Sequence, residues 1–202
     1  MKDSLIANGI TEDLFFPAAV WYFDIAECFE INRSCIENIY RLKETDRCGE
    51  LQSNQIGWQS RHNLQTTEWI QPLLAIFKEK GQVLALSCGF KSDVKLDCWA
   101  NVNPKYAYNR LHVHPGCTLS GAYYLQAGEE AGKMSFVDTR FLRQYGTVVN
   151  PDCERRYLHT SEVQYTPKIG RCFIFSQLDA SLRWAKPRRL GQNKRQFQLF
   201  LI

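Results

Sequence analysis

Histidine is scarce in this chain: four residues among 202, against 25 lysines and arginines and 21 aspartates and glutamates. The eight cysteines (28, 35, 48, 88, 98, 117, 153 and 172) include no pair separated by two residues. Zinc-ribbon and thioredoxin-like motifs are thereby excluded. No apolar run approaches the roughly 20 residues that cross a bilayer. The start, Met1-Lys2-Asp3-Ser4, leads into a mixed segment without the apolar core of a signal peptide. A cytoplasmic protein with no membrane partner is therefore expected, its cysteines mostly free, small and buried. Cys117 stands apart because it lies close to two histidines. The net charge of +4 is mild, and the acid-poor stretch from Arg183 to Arg195 carries no nucleic-acid motif. It reads as a solvated edge, and no nucleic-acid partner is expected.

What is present fits one domain over residues 1–202, with 45% hydrophobic and 23% charged residues. A helical region is expected over about 15–90. Ser34-Cys35-Ile36-Glu37 has the capping-box spacing ahead of Ile36, Ile39, Tyr40 and Leu42. A second helix, predicted to start near Thr66 or Thr67, carries Trp69, Ile70, Leu73, Leu74, Ile76 and Phe77 at helical spacing, and Gly81 is its expected stop. Val83 to Phe90 is expected to form a third short helix. Between the first two, residues 52–60 are polar and turn-rich around Trp58 and read as a loop packed onto the domain.

From about Val94 the pattern changes to short strands. Val94, Leu96 and Cys98 alternate with Lys95, Asp97 and Trp99. Further strands are expected at Leu119 to Gln126, Met134 to Val137, Tyr157 to Tyr165, Cys172 to Phe175, Leu182 to Ala185 and Arg195 to Ile202. Helices followed by a run of strands predict an α+β chain, with a jelly-roll core over about 94–202 and the N-terminal helices packed on one face.

The chemistry gathers at His112-Val113-His114-Pro115-Gly116. In an extended strand, residues two apart share a side, so both imidazoles can reach one metal ion while the chain turns away at Pro115-Gly116. Imidazole suits iron, copper, nickel and zinc, so the ligand type does not name the metal. No carboxylate follows through Ser120, unlike the glutamate cupins usually place after such a pair. On the last strand Arg195 shares the apolar face of Phe197, Leu199 and Leu201, read as the inward face. An inward arginine fits an anion, and its planar fork suits a carboxylate. His62, in the helical region, reads as a surface residue.

Several motifs recur in a known order: Ser53-Asn54-x-x-Gly57-Trp58-Gln59-Ser60, Trp99-Ala100-Asn101-Val102-Asn103, His112-x-His114-Pro115-Gly116, Leu119-Ser120-Gly121-Ala122-Tyr123-Tyr124-Leu125, Phe136-x-Asp138-x-Arg140, Pro167-Lys168-x-Gly170 and the terminal Arg195 strand. From about Phe15 to the C-terminus the chain resembles a family of 2-oxoglutarate/iron(II)-dependent oxygenases. These are prolyl-hydroxylase-like proteins built on a double-stranded β-helix. The resemblance implies Fe(II) at His112 and His114. It also implies 2-oxoglutarate held through its far carboxylate by Arg195 and Tyr124, with hydroxylation of a small molecule or peptide. Tyr124 as a plain core aromatic is the rival reading.

The family's distal histidine is missing: Ser181 or Arg183 falls at its position, depending on the counting anchor. Asp179 or His159 is then the expected third ligand. The alternative is a degenerate or altered-metal β-helix protein that binds a ligand or partner without oxygen chemistry. Members of this fold class often dimerise through edge strands or helices, which leaves a homodimer open.

Overall fold

All six residues of the strand Cys98–Asn103 are buried. Successive strand residues point to opposite faces, so the sheet that holds this strand is covered on both sides, and the molecule is layered around it. The computed structural model describes residues 4–6, 10–12, 18–90, 94–128, 131–138, 161–176, 181–184 and 196–201. In chain order its strands are β1 (Ser4–Ile6), β2 (Ile10–Glu12), β3 (Val20–Asp24), β4 (Asn54–Gln55), β5 (Trp58–Gln59), β6 (Cys98–Asn103), β7 (Tyr108–Asn109), β8 (Leu119–Gln126), β9 (Met134–Val137), β10 (Glu162–Tyr165), β11 (Arg171–Ser176), β12 (Ser181–Trp184) and β13 (Gln196–Leu201). Helices α1 (Phe29–Thr45) and α2 (Gln71–Ser87) precede β6, and two single 3₁₀ turns, Leu64–Thr66 and Glu68–Ile70, lead into α2.

The chain is α+β, as expected. Its principal sheet has the order β3-β11-β8-β13-β6-β5, and a smaller one the order β10-β9-β12. Every pair in both is antiparallel. Alternate residues of the three central strands sort into two cores. Cys98, Ala100, Val102, Tyr123, Leu125, Cys172 and Ile174 pack with Cys35 and Ile39 of α1 and Leu73 and Phe77 of α2. Trp99, Ala122, Tyr124, Phe173 and Phe175 pack on the other face with Met134 and Phe136 of the small sheet.

One buried polar tie holds α1 to the sheet. Asn32 donates through Nδ2 to the Leu125 carbonyl (3.1 Å) and accepts from the Tyr123 hydroxyl at Oδ1 (2.8 Å).

Several sequence expectations need correction. Gly81 does not stop α2, which runs on to Ser87 and absorbs the third helix expected over 83–90. The stop is Gly89, whose φ of +84° is the left-handed conformation that favours glycine. Gly89 N–H bonds the Leu86 carbonyl (3.0 Å) and Phe90 N–H that of Ala85 (2.9 Å), which completes a Schellman motif. Helix α1 begins at Phe29 with Cys28 as its N-cap residue, so Ser34 lies in its second turn and caps nothing. Val20–Asp24, expected in the helical region, is an edge strand paired with β11. Its end is held where Asp24 receives Arg171 Nε (2.7 Å) and Lys168 Nζ (2.6 Å). The alternation read at 94–98 is not a strand, since 94–97 are irregular and the strand starts at Cys98. The loop around Trp58 supplies β5, the edge strand beside β6. Of the seven described cysteines, all free, only Cys35, Cys98 and Cys172 are buried, fewer than expected. The parts of the predicted strand 157–165 before Ser161 lie outside the described residues.

Asn32→Ala removes both hydrogen bonds that tie α1 to β8 and strands two buried groups. A loss of about 2–3 kcal/mol is expected from the unsatisfied carbonyl and hydroxyl. Urea unfolding of the variant, followed by circular dichroism, measures it as a lowered midpoint.

Candidate functional site

The histidine pair does not lie on a continuous strand. His112 forms an isolated bridge, Pro115 and Gly116 make a turn, and β8 begins only at Leu119. Gly116 takes a φ of +85° with nothing within 4 Å of the place a Cβ would occupy. The backbone conformation, rather than crowding, is what calls for glycine there. The two imidazoles still converge, as the sequence predicted: His112 Nε2 and His114 Nε2 are 3.1 Å apart.

Their outer nitrogens are both occupied. His112 Nδ1 lies 2.7 Å from the Arg110 carbonyl, which can only accept, so Nδ1 carries a proton and donates. In the neutral ring Nε2 is then a lone pair. His114 Nδ1 lies 2.9 Å from Ser120 Oγ, the residue on β8 that points toward the small sheet. The Cys117 thiol donates to the His114 carbonyl (2.6 Å) and sits 3.7 Å from the same Ser120 hydroxyl.

Trp99 meets His114 edge-on at 5.4 Å. His62 is exposed, as expected from the sequence, and its ring stacks flat on Trp99 with centroids 4.1 Å apart. Its Nε2 is 3.1 Å from Gln59 Nε2 and 3.9 Å from a Glu50 carboxylate oxygen. Three of the four histidines therefore face one cavity of about 660 Å³, whose wall also includes Gln52, Ser53, Gln59, Asn109 and Arg110. Asn109 is buried, donates to Ser53 Oγ (2.9 Å), and has no partner for Oδ1 among the described residues.

Burial also sets the protonation of the pair. His114, 7% exposed, is pulled down to about 4 by burial first and then by the nearby His112 and His62. Burial lowers His112 too, partly offset by its bond to the Arg110 carbonyl. Both rings are neutral near pH 7, the form that binds a metal.

Tyr124 is fully buried on β8 among Phe173, Trp99 and Phe136, on the face it shares with Ser120. Arg195, Asp179 and His159 lie outside the described residues. Phe197, Leu199 and Leu201 pair with Val102, Ala100 and Cys98, the β6 residues buried against the helices, whereas Gln196 and Gln198 pair with Asn103 and Asn101. Ser181 and Arg183, at the missing histidine's position, lie on β12 opposite Val137 and Ser135. Among the described residues no third histidine, cysteine, aspartate or glutamate joins the pair at metal-binding distance. Ser120, Arg110, Gln59 and His62 were not foreseen as site residues. Ser120 and Gln59 carried a signal, through their places in the Leu119-Ser120-Gly121 and Gly57-Trp58-Gln59-Ser60 motifs.

Comparison with known proteins bears on the fold and on the family resemblance. Residues 97–188, just under half of the chain, match the family described as "Putative 2OG-Fe(II) oxygenase". That segment contains the histidine pair, and the resemblance read from the motifs is borne out. In fold, the chain is similar to a prolyl-4-hydroxylase from Pseudomonas putida, at TM-score 0.62 and 12% identity over 91% of each chain. It is also similar to a Trichoplax adhaerens prolyl hydroxylase solved with a hypoxia-inducible-factor peptide, at 0.58 and 9% identity over 90% of this chain and 81% of that one. HygX from Streptomyces hygroscopicus, solved with nickel, 2-oxoglutarate and hygromycin B, matches at 0.54 and 10% identity over 91% and 82%. No curated protein matches the chain by sequence.

The lowered His114 value makes the metal-free protein sensitive to acid. An unfolded histidine takes up its proton near 6.5, the folded one only near 4. Between those values the unfolded state binds more protons, so stability is complete above 6.5 and falls as the pH drops toward 4. Denaturant unfolding at pH 7.5 and 4.5 is expected to show a His114 contribution of about 2–3 kcal/mol, absent in His114→Gln.

Proposed function

We propose that the protein is a non-heme Fe(II)/2-oxoglutarate-dependent oxygenase, a single domain whose two antiparallel sheets close as a jelly roll. The observation that carries this reading is the pair of Nε2 atoms 3.1 Å apart. Each outer nitrogen is anchored, so the inner ones face one another across the place a shared ion would take. That donor chemistry fits iron(II), which takes two imidazoles and one further donor and leaves positions open. His112 and His114 hold the metal, and Asp179 or His159 supplies the third donor. Arg195 and Tyr124 take the far carboxylate of 2-oxoglutarate. Tyr124's place on the Ser120 face of β8 supports its part.

When bound, iron and 2-oxoglutarate supply the oxygen activation that oxidises a substrate C–H bond. The chain's own residues do the positioning. The Arg110 carbonyl and the Ser120 hydroxyl orient the imidazoles, while Trp99 packs edge-on against His114 and shields it. The amide- and hydroxyl-bearing wall formed by Gln52, Ser53, Gln59 and Asn109 faces the substrate. A small molecule or a peptide suits it, and the two kinds are represented by the ligands of HygX and of the Trichoplax enzyme. Among the described residues every cysteine is free and no helix is long and apolar enough to cross a membrane. The free thiols favour a reducing compartment, the cytoplasm.

Anaerobic titration with Fe(II) and 2-oxoglutarate tests the proposal. A weak visible absorption band from the metal–keto-acid chelate is expected, with succinate formed once air is admitted. His112→Ala is expected to lose both. A band without succinate, across a panel of small-molecule and peptide substrates, would favour a ligand-binding protein without oxygen chemistry. No band would sink the metal reading.

A further inference from the structure

Ser120 opens a question that the two histidines alone do not. The groups from Arg110 to Ser120 form one chain of contacts: Arg110 carbonyl, His112 Nδ1, His112 Nε2, His114 Nε2, His114 Nδ1, Ser120 Oγ. Its first member only accepts and its last, a hydroxyl, can do either. Along this chain of contacts, without a cation, the proton directions follow from the first member. His112 spends its one proton on the carbonyl, so its Nε2 is a lone pair and must receive a proton from His114 Nε2. His114 is then a lone pair at Nδ1, and Ser120 must donate to it. A cation between the Nε2 atoms reverses the far half of this chain. It needs both Nε2 lone pairs, which moves the His114 proton to Nδ1, and Nδ1 must now donate.

We propose that Ser120 is the positioning residue that permits this exchange. Its hydroxyl donates to His114 Nδ1 in the metal-free protein and rotates to accept from it when a cation enters. The number of protons is unchanged: one leaves Nε2 of His114 and one arrives at Nδ1. The rotated hydroxyl hydrogen has a place to go, because Cys117 Sγ lies 3.7 Å from Ser120 Oγ and is a weak acceptor. The thiol is itself fixed by its bond to the His114 carbonyl. Ser120 is 1% exposed, so water does not replace it. A backbone carbonyl in the same place could only accept and would hold His114 permanently in the metal-binding tautomer. A hydroxyl satisfies the buried ring in both states. The proposal rests on the metal reading given above.

Long-range ¹H–¹⁵N spectra of the histidine rings, recorded with and without Zn(II), test it. Zinc is the probe because it is closed-shell and favours imidazole nitrogen. In the metal-free protein His112 is expected as the Nδ1–H tautomer and His114 as Nε2–H. With Zn(II) both are expected as Nδ1–H with Nε2 bound. Ser120→Ala is expected to weaken Zn(II) binding about 10–100-fold, while Ser120→Thr, which keeps the hydroxyl, recovers most of the affinity. Finding His114 already Nδ1–H without metal overturns the exchange and leaves the metal reading standing. So does a folded Ser120→Ala that binds Zn(II) as tightly as the native protein. If Zn(II) moves neither ring's signals, the metal reading falls, and the exchange with it.

Discussion

The constraint on which the rest of the structure depends is that the principal sheet is buried on both faces. In β6, β8 and β11 every second residue goes to the helices and the others to the small sheet. A slip of one residue in any of these strands would exchange the two sets. It would put Trp99 and Ser120 against the helices and take both away from His114. Register, set by apolar packing over the whole sheet, is thus what places the polar groups of the site. The helices contribute indirectly, covering one face so that the other can be spent on a cavity.

The same burial gives the histidine pair its chemistry. In water, two imidazoles two residues apart would titrate near their ordinary value and hold no fixed orientation. Here desolvation keeps them neutral, and each outer nitrogen has a partner of defined character, a carbonyl for His112 and a hydroxyl for His114. The inner nitrogens are left facing one another. This is the usual division at a metal site, in which the atoms behind the ligands decide which nitrogen is available. The cavity beyond the pair is lined mainly by amides, a hydroxyl and stacked rings.

Much of the β region was legible because its strands are short, carry aromatic and aliphatic residues, and are separated by turns. The strands Leu119–Gln126 and Met134–Val137 were read with their observed limits. The failures have particular causes. Val20–Asp24 sits next to a helix, and its strand character depends on the partner β11, about 150 residues away in sequence. Gly81 looked like a stop because glycine is a poor helix former, yet the helix packs it against Val94 and continues to Gly89, where the backbone does turn left-handed. The alternation before Cys98 misled because a strand buried on both faces need not alternate at all. His62 is the surface residue it looked like, yet its stacking on Trp99 was not legible, because that partner is remote in sequence.

By itself, the sequence determined the pair His112 and His114, the turn that follows them, and the family signature around them. Spacing and residue type are local properties and survive without a fold. Only the tertiary structure decided which nitrogens face inward, that Ser120 and the Arg110 carbonyl stand behind them, and that His62 and Trp99 share the cavity. Those are contacts with groups brought near by sheet register, one of them a backbone carbonyl that no side-chain pattern can announce. The apolar alternation of β13 belongs to the same class. Its register against Cys98, Ala100 and Val102 is set by pairing across the sheet, not by the strand's own residues.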